Sequence, residues 1–206
     1  MGGKPRAAGF VEVGWDDLAT VPEPIRALAP GFEVDRVLYA ERSVTIDSLV
    51  FEPATCILVD GDLTVRKIID GRPLNGDPDN ARALCVSGDL RAGDALLNCH
   101  AAIGGSMLVE GMLIAESDGD FGFDIKGDLR ARVIIAPGHH VRVAGKTTGD
   151  FRLGFLGLDS TVGKFDDWQS MLVSGLVNEY GGIEIEKIAS RVLSRQPVLA
   201  KKPTGV

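Results

Sequence analysis

The sequence feature that most constrains the fold is a five-residue unit with an apolar residue at each end and glycine at its centre. It occurs as VDGDL at 59–63, VSGDL at 86–90, VEGML at 109–113 and IKGDL at 125–129, with a weaker copy, VAGKT, at 143–147. The five glycines are separated by 27, 23, 16 and 18 residues. Such a repeat is typical of a solenoid, whose stacked coils share a core that no single coil could bury.

Apolar and polar residues alternate within each unit, which predicts a strand. In the first unit, Val59 and Leu63 would face inward and Asp60 and Asp62 outward, with Gly61 at an inward position of a tight corner. No helical periodicity interrupts residues 54–155, as a doubly wound α/β fold would require. A β-sandwich also has short strands, but its strands do not repeat one unit. We therefore predict a mainly β chain that forms a parallel β-helix.

Both ends of the chain depart from the repeat, which suggests helical caps on a single domain. We predict an N-terminal cap at 1–40 with a short helix from Pro24, a β-solenoid at 41–160, a helical C-terminal cap at 161–199 and a flexible tail at 200–206. We expect the C-terminal cap to cover the last open coil, because free strand edges promote aggregation.

Two amphipathic helices are predicted in the C-terminal cap. The first would begin after Asp166 and end at Gly181 and Gly182, and the second would end before Pro197. Their apolar faces would be Trp168, Met171, Leu172 and Leu176 in the first helix and Ile185, Ile188, Ala189, Val192 and Leu193 in the second.

Composition and charge narrow the classes of function. The net charge of −7 argues against binding along a phosphate backbone and favours a basic protein partner. The cysteines Cys56, Cys85 and Cys99 have no spacing typical of a disulfide framework or a metal site. They lie in or beside apolar runs, which predicts small buried hydrophobic residues. No signal peptide or membrane segment precedes the repeat, so we expect a cytoplasmic, bacterial protein. Fingerprints of nucleotide cofactors and of serine hydrolases are lacking, and we expect no cofactor.

The candidate partner-binding residues are acidic side chains predicted on the outside of the coils. Asp62, Asp89 and Asp128 occupy equivalent repeat positions and would form a column that Met112 interrupts. Arg91 and Arg130 would stand beside this column as neutralising partners, and such a neutral ladder is the structural alternative to a face for a basic protein.

A second acidic group lies in one loop, with Asp118, Asp120 and Asp124 at a spacing like that of a calcium site. Leu129 stands where an EF-hand needs a bidentate glutamate. An acidic loop at 75–80 is similar, and we expect both loops to be solvated turns and not metal sites.

An enzymatic alternative depends on His139 and His140, which follow Pro137 and Gly138 at a predicted turn. Left-handed hexapeptide acyltransferases use a solenoid histidine as a base, and residues 103–108 fit one such hexapeptide. Consecutive hexapeptides are missing from the sequence. We therefore expect no catalytic residue.

Two bacterial families are similar to parts of the chain. The run from Lys126 to Gly138, followed by 141–145, resembles the bactofilins, which form filaments from a right-handed β-helix. This resemblance covers about 50 residues from Met112 onward, and the long loop at 70–82 and the helical caps depart from the bactofilin pattern. Residues 57–199, which end in Pro197-Val198-Leu199, look more like a group of Gly-Asp-Leu repeat solenoids, some of which lie among toxin and immunity genes.

The second resemblance implies a binding role without catalytic residues. Our leading hypothesis is a non-enzymatic protein-binding solenoid, specifically an immunity protein that acts as a monomer or homodimer to neutralise a basic toxin. The alternatives are a bactofilin-like filament and, third, a solenoid acyltransferase.

Overall fold

The repeat units form a parallel β-solenoid of about five turns, which confirms the predicted fold. This computed structural model describes residues 9–32, 34–72, 81–115, 122–156, 168–180 and 182–200. Each turn consists of two strands separated by a bend, and strands in successive turns pair in parallel.

The first strands of successive turns are β2 (Arg36–Ala40), β4 (Thr55–Val59), β6 (Ala83–Val86), β8 (His100–Ile103) and β10 (Phe123–Ile125). The second strands are β3 (Val44–Val50), β5 (Leu63–Gly71), β7 (Leu90–Leu97), β9 (Met107–Ala115) and β11 (Leu129–Val143). Beyond them, β12 (Thr147–Thr148) and β13 (Phe151–Leu156) pair with β11. At the other end, β1 (Val11–Val13) pairs antiparallel with β2. The first coil therefore begins at Arg36, inside the segment predicted as a cap.

A bulge bends the second strand of each turn, so that every turn has three sides. The register of β3 against β5 shifts between Ile46 and Ser48, and corresponding shifts recur in the later turns. We name the strands β2, β4, β6, β8 and β10 the first side of the solenoid. The second side is the part of each second strand before the bulge, and the third side is the part after it. In β11, residues 141–143 instead pair with β10 and continue the first side.

Inward-facing aliphatic residues from every turn share one core. Residues such as Val59, Leu63 and Leu90 are fully buried in it, and each contributes about 1.5–3 kcal/mol through removal of its side chain from water. Phe10, which precedes β1, joins the same core beside Ala40 and Val44 of the first turn. The interior is therefore one continuous cluster, as stacking of thin coils requires.

The prediction that each five-residue unit is one strand was wrong. Gly61, Gly88, Gly127 and Gly145 lie in the bend between the first and second strands. The fifth member of this stack is Gly105, and the N–H of each later glycine donates to the carbonyl oxygen of the glycine one turn before it, at 2.8–3.0 Å. Gly111 lies within β9 instead, at the bulge.

Close stacking explains why these bends require glycine. A Cβ on Gly88 would lie 2.2 Å from Oδ1 of Asp62 and 2.9 Å from the carbonyl of Gly61, and a Cβ on Gly105 would lie 2.3 Å from Oδ1 of Asp89. The Gly111 unit shows the same arrangement at the other corner, because a Cβ there would meet Oδ1 of Asp94 at 2.2 Å. In each case the carboxylate of one turn occupies the space above the glycine of the next.

The N-terminal segment covers the outer face of the first side. A 3-10 helix at Trp15–Thr20 and the short helix α1 (Glu23–Arg26) precede β2. Ile25 is fully buried, and together with Val21 and Val34 it packs against Cys56 and Leu58 on the first side.

The C-terminal segment covers the outer face of the third side. It contains α2 (Trp168–Met171) and α3 (Ile185–Leu193). The buried face of α3, which includes Ile188 and Val192, shares a cluster with residues of β7, β9, β11 and β13. An ion pair of 3.1 Å between Arg72 and Glu186 also joins α3 to the end of β5. The segment therefore lies along several turns, whereas we had expected it to cover the last coil.

Two details of the predicted C-terminal helices were also wrong. α2 ends at Met171 and does not continue to Gly181, because residues 172–180 form turns and isolated bridges, including one between Leu172 and Leu199. Leu193 is 48% exposed, although the remaining predicted face of α3 is buried. Among the described residues, no helix has the length and apolar character needed to cross a membrane.

The glycine stack predicts that Gly88→Ala destabilises the protein by about 2–3 kcal/mol, because the new methyl group overlaps the carboxylate and backbone of the previous turn. Equilibrium unfolding in urea measures this change. Gly31→Ala is the control, since a Cβ there meets nothing within 4 Å. Equal midpoints for the two variants would contradict the role assigned to the stack.

Candidate functional site: the open side

The described parts of the terminal segments leave the second side of the solenoid uncovered. Its outward residues stand in register, one per turn. Arg91 and Arg130 are exposed, and Leu108 between them is half-buried. We call this column the open side; its members are Thr45, Thr64, Arg91, Leu108, Arg130 and Thr148.

A ladder of side chains runs beside the open side, along the bends that contain the glycine stack. Asp62 Oδ1 accepts the N–H of Asp89 at 2.8 Å, Asp89 Oδ1 accepts that of Ser106 at 2.8 Å, and Asp128 Oδ1 accepts that of Lys146 at 2.8 Å. The hydroxyl groups of Ser43 and Ser106 accept the N–H groups of Asp62 and Asp128 in the same way, at 2.9 and 3.1 Å. We call this set the turn ladder; its members are Ser43, Asp62, Asp89, Ser106, Asp128 and Lys146.

The turn ladder brings the predicted residues Asp62, Asp89 and Asp128 together, but it differs from the predicted column in two respects. The residue that stands between Asp89 and Asp128 is Ser106, where Met112 was predicted. Met112 is buried on the third side. Arg91 and Arg130 form no ion pair with these carboxylates in the described part of the chain. The carboxylates accept hydrogen bonds from backbone N–H groups instead.

The remaining predicted acidic residues lie elsewhere. Asp124 is on β10, on the first side, where its carboxylate forms an ion pair with Arg142 at 2.5 Å. Asp118 and Asp120 fall outside the described residues, as does the whole of the acidic loop at 75–80. Within the described ranges, no three His, Cys, Asp or Glu side chains group closely enough to hold a metal ion.

The structure places the three histidines in two environments. The backbone at His139 and His140 belongs to β11 and is a strand, where a turn was predicted, and their side chains fall outside the description. His100 is half-buried next to the N-terminal segment, and its ring packs edge to face on Phe32 with 6.2 Å between centroids. Burial lowers the pKa of His100, which a hydrogen bond with the backbone of Leu28 opposes.

All three cysteines are buried free thiols. Burial raises the pKa of Cys99 to about 12. A hydrogen bond with Cys56, together with burial, raises the pKa of Cys85, whose Sγ also donates to the carbonyl oxygen of Leu28 at 3.1 Å. A thiol with a raised pKa is a poor nucleophile, so Cys85 and Cys99 behave as the small buried hydrophobes that the sequence indicated.

Sequence reasoning missed a groove of about 580 Å³ between the third side and the chain that follows α3. Its lining comes from residues far apart in sequence, including Met112, Arg132 and Arg195. Only the packing of the C-terminal segment brings them together, so no local pattern could have indicated the groove.

In comparisons with known proteins, no protein-family model, no curated protein and no solved structure matches the chain.

The turn ladder predicts different effects for two substitutions at Asp89. Asp89→Ala removes the acceptor of the Ser106 N–H and should lower the free energy of unfolding by about 1–2 kcal/mol. Asp89→Asn keeps an oxygen acceptor and should cost about 0.5 kcal/mol or less. Urea unfolding of both variants tests this, and equal losses would show that the negative charge, rather than the hydrogen bond, matters.

The lowered pKa of His100 predicts a dependence of stability on pH. Protonation is easier in the unfolded chain, where the pKa has its ordinary value of 6.5, than in the folded protein. The unfolded state therefore binds more protons, and stability is lost as pH falls through 6.5 toward the lower folded pKa. His100→Gln should reduce this dependence of the free energy of unfolding on pH. Urea unfolding between about pH 7.5 and about pH 5, the range in which histidine titrates, measures it. An unchanged slope would contradict the assignment to His100.

Proposed function

We propose that the chain is a non-enzymatic protein-binding solenoid whose open side and turn ladder contact a protein partner. The observation that carries this proposal is the unequal covering of the three sides. The first and third sides lie beneath the terminal segments of the chain itself. The second side keeps exposed arginines, and carboxylates stand beside it.

The rigidity of this surface supports a binding role. Every residue of the open side sits on a strand that pairs with its neighbours, and the serine and aspartate side chains of the turn ladder accept hydrogen bonds from backbone N–H groups. The six positions of the column, spaced about 4.8 Å apart, give a strip about 24 Å long. A preorganised surface loses little conformational entropy on binding, so more of the contact energy appears as affinity.

The arrangement of charges on this surface favours a partner whose own charges align with it. Arg91 and Arg130 alternate with Leu108 along the open side, while Asp62, Asp89 and Asp128 line its edge. A partner with matching opposite charges gains specificity and a faster encounter, and a partner out of register brings like charges together. Basic side chains of the partner would meet the edge of carboxylates.

The most specific form of the proposal is a cytoplasmic immunity protein, a monomer or homodimer that occludes a basic toxin. Its support is the resemblance of residues 57–199 to Gly-Asp-Leu repeat solenoids, together with the net charge of −7. Co-expression with the product of the neighbouring gene tests this form. A stable one-to-one complex and protection of the host are expected, and the absence of both would rule out this role.

A charge reversal tests the open side once a partner has been captured. Arg91→Glu combined with Arg130→Glu should leave unfolding within about 0.5 kcal/mol of the wild type, because neither side chain forms an ion pair with a described residue. The same variant should weaken the complex by about tenfold or more in isothermal titration calorimetry. Arg26→Glu combined with Lys187→Glu, away from the open side, makes the same change in net charge and is the control. Equal loss in both variants would contradict the proposed surface.

A filament is the second candidate, and the edge strand β3 favours it. Among the described strands, β3 pairs only with β5, so its other edge is available to a second copy. Val50 at its end is 60% exposed. In head-to-tail stacking, β3 of one copy would pair in parallel with β13 of the next.

Electron microscopy of the purified protein distinguishes the two candidates. Filaments that disappear in Val50→Lys would support stacking through β3, because a charge at an edge strand opposes pairing between chains. A discrete monomer or dimer would leave the binding proposal as the better one. No described side chain favours the acyltransferase alternative.

A further inference from the structure

The groove beside α3 combines an apolar floor with a charged rim. Met112 and Val133 of the third side form one wall, and Val192 and Val198 of the C-terminal segment form the other. All four side chains are largely buried. The rim carries Asp94, Arg132, Arg195 and Gln196. A volume of about 580 Å³ lies within the range of pockets that bind ligands.

The two rim arginines are available to an anion. Arg132 and Arg195 are exposed, and neither forms an ion pair within the described ranges. Arg191, one turn earlier on α3, is different, because its guanidinium donates to the carbonyl oxygen of Pro197 at 3.2 Å and to Oε1 of Gln196 at 3.4 Å. Arg191 therefore holds the wall of the groove together, while Arg132 and Arg195 line the groove without an ion pair to a described residue.

The backbone at Arg195 is a second sign of a role for this side chain. Its φ of +54° places it in the left-handed region at the end of α3. The N–H of Arg195 donates to Val192 and the N–H of Gln196 donates to Arg191, at 3.0 and 2.7 Å, so the helix ends in a tight turn. Glycine is the usual residue at such a position, and an arginine there is strained. Strain of this kind is concentrated at functional sites.

The polar groups of the rim distinguish between kinds of anionic ligand. Asp94 uses Oδ1 to accept the N–H of Met112 at 2.8 Å, and no described bond uses Oδ2. A carboxylate and an amide in the rim favour a ligand with N–H donors, which a peptide has and a fatty acid lacks. Arginine binds carboxylates through paired hydrogen bonds, and the floor receives an apolar side chain.

We infer that this groove binds an extended peptide segment of the partner that places an apolar side chain beside a carboxylate. The inference rests on the proposed protein-binding function and adds the chemistry of one contact. The groove borders the open side at the bulge, because Arg132 follows Arg130 by two residues and Asp94 follows Arg91 by three. A single partner can therefore contact both, with the groove as the anchor of the interface.

Selection from random peptides displayed on phage tests the inference on the full-length chain. The selected peptides should combine Asp or Glu with Leu, Ile or Phe. A synthetic copy of the most enriched peptide should bind the wild type in fluorescence anisotropy and lose about tenfold in affinity to Arg132→Ala and to Arg195→Gly. Arg66→Ala is the control and should bind normally. Arg66 is exposed and lies at the bulge of β5, toward the other end of the corner that contains Arg132.

Arg195→Gly separates a binding role from a structural one. Glycine relieves the strained backbone, so the melting temperature of this variant should equal or exceed that of the wild type while its peptide affinity falls. Selection of basic or purely apolar peptides would overturn the inference. So would unchanged affinity of the arginine variants, or dodecanoate binding as tightly as the peptide.

The outcomes also separate this inference from the proposed function. If groove variants bind a captured partner normally while Arg91→Glu with Arg130→Glu weakens it, the groove inference fails and the open side remains. If the groove variants lose the peptide but the open-side variant keeps its full affinity for the partner, the proposed surface fails and the groove remains.

Discussion

The contact on which the structure depends is that between an aspartate of one turn and the glycine of the next. The carboxylate of Asp62 fills the space where a Cβ of Gly88 would lie, and its oxygen accepts the N–H of Asp89. The same contact recurs through Asp89 and Asp128, and Asp94 repeats it at the bulge. Because hydrogen bonds to the neighbouring backbone fix the position of each carboxylate, the Gly-Asp-Leu unit sets the register of the stack as well as the path of the bend.

The stacked core leaves apolar residues on the outside of two of its three sides, and the ends of the chain cover them. Leu58 and Cys85 lie beneath the N-terminal segment, and Ile114 and Ile135 lie beneath the C-terminal segment. Burial of these residues from water stabilises both segments, although α1 and α2 are each only four residues long and would not persist alone. Covering of two sides leaves the second side as the exposed one in the described part of the chain.

The turn ladder has both a structural role and an effect on surface charge, so a substitution in it should change only one of the two. Its carboxylates support the backbone and also supply the negative edge of the open side. Removing one therefore changes stability and surface charge together, whereas Asp89→Asn changes the charge and keeps the acceptor. The arginines at 91, 130, 132 and 195 form no ion pair with described residues, so they report on binding more directly.

The sequence by itself determined the solenoid, because a repeated unit with buried aliphatic ends can be satisfied only by stacking. It also determined the buried face of α3 apart from Leu193, the burial of the cysteines, and the alignment of Asp62, Asp89 and Asp128. Tertiary structure decided that the unit is a bend and not a strand, since the constraint on glycine comes from the previous turn and is invisible within one repeat. It also decided that Ser106 and not Met112 completes the ladder, that the helical segments lie along two sides, and that Arg132 and Arg195 meet at one groove. These features depend on contacts between residues tens of positions apart, which periodicity cannot specify.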